Sequence, residues 1–253
     1  MNPIRTALAA ALLATALLAS GCGDNARQRA KDLPAPAASG TTTSAAAGPW
    51  QSAIDSTPAP APGTAPQANL SEPFRISAAP AGATPRAVVT LILDPACPAC
   101  RAFDRIAGPV LASYTSDPQV AVDYRVISFL DRAGPDRYSS RAANALYCAW
   151  ADAALAGKTG AWRAYLERLF EAQPAEGGAG LPDSRLAALG DGQFPGLSEC
   201  VAGEAHGAQV TANTRAVLAD KSFKGTPTVL INGTEFSVSG AEDLRGAIDA
   251  AKG

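Results

Sequence analysis

The sequence predicts an α/β fold: a strand–helix–strand unit, then a block of helices, then a closing strand–strand–helix unit. Three observations predict it. Ala87 to Leu93 (AVVTLIL) is a continuous apolar run rich in β-branched residues, the pattern of a strand buried on both faces of a sheet. Trp162, Tyr165, Leu166, Leu169 and Phe170 recur at i, i+3, i+4, i+7 and i+8, the apolar stripe of an amphipathic helix whose role is core packing. Asn232-Gly233 is a strong two-residue hairpin turn between Thr228–Ile231 and a return strand over Thr234–Val238.

The elements follow in order. The folded part begins near Pro73, and the first strand, Ala87–Leu93, delivers the chain to Cys97-Pro98-Ala99-Cys100. Arg101 to Leu111 has helical spacing, with Phe103, Ile106 and Val110 on one side and Pro109 as a kink or an end. Val120, Val122, Tyr124 and Val126 alternate with polar or small residues as a second strand, which completes a βαβ unit with the CxxC at the start of its helix. From about Arg137 to Lys221 the character is helical. Ser239 with Glu242 reads as a capping box opening a last helix that turns Leu244 and Ile248 inward. This is the order of a thioredoxin-like fold carrying an inserted helical domain at about 137–221, within a folded domain of 73–253.

The segment ahead of that domain reads as targeting sequence and spacer. Met1 and Arg5 give a positive start, and Ala7 to Leu18 is an apolar run too short to span a bilayer, so 1–21 reads as an export signal. Leu18-Ala19-Ser20-Gly21-Cys22 resembles a bacterial lipoprotein signal, in which Cys22 becomes the lipid-modified N-terminus. Ala19 stands where leucine is more usual, and plain cleavage at a small-residue site is the alternative. Residues 22–72 are dominated by Ala, Pro, Ser, Thr and Gly and cannot bury enough surface to offset the entropy of ordering. They read as a disordered tether with a span of roughly 40 Å.

Composition excludes several functions. Net charge is -2 with no basic cluster, which argues against nucleic acid as a partner. His206 is the only histidine, so two-histidine zinc motifs are impossible, and no GxSxG surrounds a serine. Gly157-Lys158-Thr159 lacks the earlier glycine of a phosphate loop, since Asp152 stands there.

The chemistry rests on the cysteines. Export would carry them into a compartment where disulfides persist. A thiol reacts as its thiolate, and a helix N-terminus favours negative charge through unpaired N–H groups and the macrodipole, so Cys97 is the candidate attacking sulfur, expected to be exposed. Pro98 suits the first helical position, where a missing N–H costs nothing. Cys100, within one turn, is the candidate resolving thiol. A bare CxxC also occurs in zinc sites and in structural disulfides; Cys148 and Cys200 are isolated cysteines without a second CxxC spacing.

At these residues the chain resembles the DsbA-like thiol-disulfide oxidoreductases, in particular exported actinobacterial forms. The resemblance runs from about Arg86 to Gly253. It is carried by Asp94-Pro95-Ala96-Cys97-Pro98-Ala99-Cys100 with Phe103, by Ala142-Ala143-Asn144-Ala145 and Phe170-Glu171-Ala172-Gln173-Pro174, and by Gly225-Thr226-Pro227-Thr228-Val229. It implies a cis Pro227 packed beside Cys97, with the Thr226 backbone pairing an extended client peptide; an ordinary turn before a strand is the other reading of that loop. It also implies a structural disulfide between Cys148 and Cys200, worth about 4 kcal/mol in the chain-entropy model, with a second redox pair as the rival.

No cofactor and no metal are implied. The implied partners are exported cysteine-containing proteins, the membrane through the lipid anchor, and a quinone-linked membrane oxidase of the DsbB or vitamin K epoxide reductase type. Pro98, Ala99 and Asp94 are the residues placed to tune the site. Ala99 stands where the best-known members have histidine, and Leu91 where some relatives carry a buried acid. Direction therefore stays open. Disulfide introduction leads, with a tethered reductase or isomerase for few clients, or a non-catalytic binding lipoprotein, as alternatives. No dimerisation segment is evident, which favours a monomer.

Overall fold

The computed structural model describes residues 68–131 and 136–253. The export signal, Cys22 and the tether up to residue 67 lie outside the described residues. Five strands form one sheet: β1 (Phe74–Ser77), β2 (Ala87–Leu93), β3 (Val120–Val126), β4 (Thr228–Ile231) and β5 (Thr234–Glu235), in the order β1-β3-β2-β4-β5. β2 and β3 are parallel, with Val89 opposite Val122. The crossover between them is α1 (Pro98–Ser113), so the sheet and the CxxC helix form one βαβ unit. β4 runs antiparallel to β2, and α7 (Ala241–Lys252) closes the fold, burying Leu244 and Ile248.

Between β3 and β4 stand α2 (Tyr138–Ala156), α3 (Thr159–Glu171), α4 (Asp183–Ala188), α5 (Leu197–Ala202) and α6 (Gly207–Ala219). The stripe of α3 is buried throughout, with Trp162, Tyr165, Leu166 and Leu169 at 0% exposure. An aromatic cluster welds this block to the sheet. Phe74 of β1 stacks on Trp150 at 5.0 Å and meets Tyr147 at 4.7 Å and Trp162 at 5.4 Å edge-on, and Trp162 also meets Tyr124 of β3. Such pairs contribute about 0.5–1.5 kcal/mol each beyond their buried area. Polar ends are satisfied inside the cluster: Trp162 Nε1 donates to Leu146 O and Tyr147 Oη to Val126 O.

Several local expectations change in the tertiary structure. β1 was invisible in the sequence because four residues, Phe-Arg-Ile-Ser, are too short for a pattern to stand out. Ala68 and Leu70, assigned to the tether on composition, pack against the core, and Leu70 O accepts a hydrogen bond from Asn213 Nδ2. α1 passes through Pro109 and ends at Ser113. Its buried face is Cys100, Phe103, Ala107, Val110 and Leu111, whereas Ile106 is 47% exposed. The return strand pairs over Thr234–Glu235 only. At α7 the serine lies one residue before the cap, so its partner shifts by one: Ser239 N–H and Oγ both donate to Asp243, not to Glu242.

Candidate active site

β2 ends at Leu93, and a short turn carries the chain into α1 with Cys97 as its N-cap and Pro98 as its first residue. Asp94 builds that turn. Its carboxylate accepts Ala96 N–H and Ser139 Oγ on one oxygen and the N–H groups of Phe129 and Leu130 on the other, while its carbonyl accepts Cys97 N–H. A single buried side chain thus ties the CxxC turn, the loop after β3 and the start of α2 together. Burial pushes the Asp94 carboxyl up to about 7, against the hydrogen bonds from Ser139, Ala96 and Leu130 that favour its charged form.

Cys97 and Cys100 are free thiols. Cys97 is only 7% exposed, less open than its position at a helix start suggests, because the loop before β4 closes over it. There the Thr226–Pro227 peptide is cis, and Cys97 Sγ lies 3.3 Å from the Thr226 carbonyl oxygen. Cys100 is fully buried and Ala99 is exposed. The two sulfurs differ in acidity. A hydrogen bond from the Cys100 thiol brings Cys97 down to about 6 in spite of burial, helped by the side-chain hydroxyl of Thr226 and by the N–H groups of Cys100 and Ala99. Burial drives Cys100 well above the ordinary thiol value, and the neighbouring Cys97 sulfur adds to it. One thiolate available near neutral pH beside one proton-holding thiol is the arrangement that two-step exchange requires.

The second cysteine pair is elsewhere. Cys148 of α2 and Cys200 of α5 form a disulfide with Cα atoms 6.0 Å apart. Among the described residues they are grouped with His206 within 4.8 Å, but both sulfurs are committed to each other rather than to a metal. Leu91, where some relatives carry an acid, is a core residue at 1% exposure; the buried acid here is Asp94, three residues before Cys97. Sequence reasoning named Asp94 but missed its partner Ser139, and it quoted Gln173 only within the stretch that carries the resemblance, with no role for the amide that reaches Pro95 O and Cys97 O.

With this geometry in place, comparison with known proteins is direct. The thioredoxin family model matches residues 82–250. The reduced disulfide bond oxidoreductase DsbG of Mycobacterium tuberculosis is 32% identical, over 74% of this chain and 90% of that one, with a TM-score of 0.63. Oxidised DsbA of the same organism is 31% identical over 72% and 93%, also at 0.63. BdbD of Bacillus subtilis, at 17% identity, 74% and 96% coverage and a TM-score of 0.57, shares the fold. No curated protein matches the chain. The chain belongs to the thioredoxin family, in its DsbA-like branch of protein disulfide oxidoreductases.

Proposed function

We propose that this protein introduces disulfides into exported proteins on the outer face of a bacterial membrane, with Cys97 and Cys100 as the catalytic pair and Cys22 as the lipid anchor. The observation that carries the reading is the asymmetry of the two sulfurs: Cys97 at the helix cap with its acidity raised, Cys100 sealed beneath it. In the oxidised enzyme a client thiolate attacks the Cys97 sulfur, the Cys97–Cys100 bond breaks, and its electron pair leaves on Cys100, which takes up a proton. A second client thiolate then attacks the client sulfur of the mixed disulfide and expels Cys97 as a thiolate. The client leaves oxidised by two electrons and the enzyme reduced by two. A quinone-linked membrane oxidase of the DsbB or vitamin K epoxide reductase type would reoxidise it. The extended client would lie along the Thr226–Pro227 loop, whose backbone faces Cys97.

A depressed thiol pKa stabilises the reduced enzyme and so makes its disulfide the stronger oxidant. The lowered pKa of Cys97 points away from the reducing end of the range of potentials, which runs from about -270 mV for thioredoxin to about -120 mV for DsbA. Equilibration of the Cys97/Cys100 pair with glutathione tests the reading: a potential at or below thioredoxin's would overturn the oxidase direction and favour a tethered reductase. In a Cys100→Ala variant, capture of many secreted proteins as mixed disulfides is the expected result.

A further inference from the structure

Gln173 sits at the far end of α3, in the helical insertion, yet its side chain ends at the CxxC turn. The reason is local. α3 stops at Glu171, Gln173 N–H closes the last turn on Phe170 O, and Pro174 disfavours a helical backbone at the residue before it. α3 is itself fixed against α1 by the Arg163–Asp104 ion pair at 2.8 Å and by the buried Trp162 stripe, so Gln173 is presented at a set height beside the helix start. Its Nε2 donates to Pro95 O at 2.7 Å and to Cys97 O at 3.1 Å, sharing the latter with the Arg101 N–H of the first helical turn, and the Gln173 backbone carbonyl accepts from Arg101 Nη1. The residue is 6% exposed, and its Oε1 is buried without a hydrogen-bond partner. An orphaned acceptor costs free energy, so the fold keeps both donor contacts at the expense of that oxygen.

We infer that Gln173 is a positioning residue of the exchange reaction: from the helical insertion it fixes the Cys97 carbonyl, and with it the N–H groups of the first turn that face the Cys97 sulfur. The inference rests on the reading of Cys97 as the attacking thiol. The direction of the Cys97 carbonyl is set by ψ of Cys97, here 117°. Rotation of that one torsion swings the peptide leading into Pro98 and re-aims the Ala99 and Cys100 N–H groups relative to the sulfur. Asp94 holds the N–H groups of the turn, Ala96 and Cys97, from within the βαβ unit; Gln173 holds its carbonyls, Pro95 and Cys97, from outside. The reactivity of the thiol is therefore set jointly by two parts of the chain 76 residues apart.

The test is the titration of Cys97 in the reduced protein, read by thiolate absorbance and by alkylation rate against pH, in wild type and in Gln173→Leu. Leucine fills the space and donates to neither carbonyl. Wild type is expected to titrate near 6; an ordinary thiol titration with no exchange activity in wild type would count against Cys97 as the attacking sulfur rather than against Gln173. In folded Gln173→Leu the titration should move up by about one unit, slowing alkylation at about pH 5 some tenfold, with client exchange falling in parallel. Gln173→Asn, whose amide is one methylene too short for either carbonyl, gives the same reading if the leucine variant does not fold. An unchanged Cys97 titration in either folded variant, whatever its melting temperature, overturns the inference, as does failure of both to fold, which would mark a structural residue only.

Discussion

The two cysteine pairs of this protein have the same chemistry and opposite surroundings. Cys97 and Cys100 lie at a helix start under the Thr226–Pro227 loop, one sulfur activated by N–H groups and by its partner, the other sealed. Cys148 and Cys200 join α2 to α5 across 52 residues inside the helical insertion, Cys148 in the middle of α2 and Cys200 within the short α5, neither of them at an N-cap as Cys97 is. On the proposal that Cys97 and Cys100 exchange and Cys148–Cys200 is structural, what separates the pairs is the set of groups around the sulfur and the length of chain that the bond closes.

The sharpest way to break this contrast is to exchange the losses. Cys97→Ala should reduce oxidative refolding of a reduced client on the order of 10^3-fold or more while leaving the melting temperature at about pH 5, where the thiol is protonated, close to that of the reduced wild type. If substantial activity survives, the assignment of the reactive pair is wrong. The double change Cys148→Ala and Cys200→Ala should do the reverse: a loss of about 4 kcal/mol in denaturant unfolding, with client oxidation by the folded fraction kept within about twofold.

The pH dependence sharpens the contrast further. The Cys97 thiol is lower in the folded protein than in the unfolded chain, so its thiolate contributes stability that is complete above about 9 and is lost as pH falls through about 6. The disulfide form has no such titration. Unfolding of reduced and oxidised protein, compared from pH 5 to pH 9, should therefore show the reduced form gaining on the oxidised one as pH rises. A flat difference would remove the activated thiolate.

Smaller effects probe the joint between the two regions. A Cβ at Gly108 of α1 would lie 2.5 Å from Arg163 Nη2 of α3, so the end of that arginine side chain would have to shift. Gly108→Ala should cost no more than about 1 kcal/mol by thermal unfolding, as displacement of the Arg163–Asp104 pair is set against the better helix propensity of alanine. The smallest effect belongs to His206, beside the structural disulfide: His206→Ala should leave exchange unchanged and stability within about 0.5 kcal/mol, since its backbone N–H, not its ring, makes the bond to Asn144.

Much of the fold was legible because periodicity is a local property. The AVVTLIL run, the α3 stripe and the Asn-Gly turn each carry their signal within a dozen residues, and each becomes the element it suggests. The misreadings fall where the signal is shorter or off by one register. Four-residue β1 had no pattern to read, Ile106 was assigned to a buried face that lies one residue further on, and Ser239 was paired with Glu242 instead of Asp243.

The sequence by itself determined the βαβ–helices–ββα order, the position of CPAC at a strand-to-helix junction and the candidate reactive thiols, since all of these follow from neighbours along the chain. The resemblance already implied Thr226–Pro227 beside Cys97, across 129 residues. Only the tertiary structure decided the other distant groups: Gln173 comes from 76 residues away, and Ser139 reaches Asp94 across 45. Hydrogen bonds of that kind depend on how the insertion and the sheet pack together, and no local pattern records the orientation of a packed side chain.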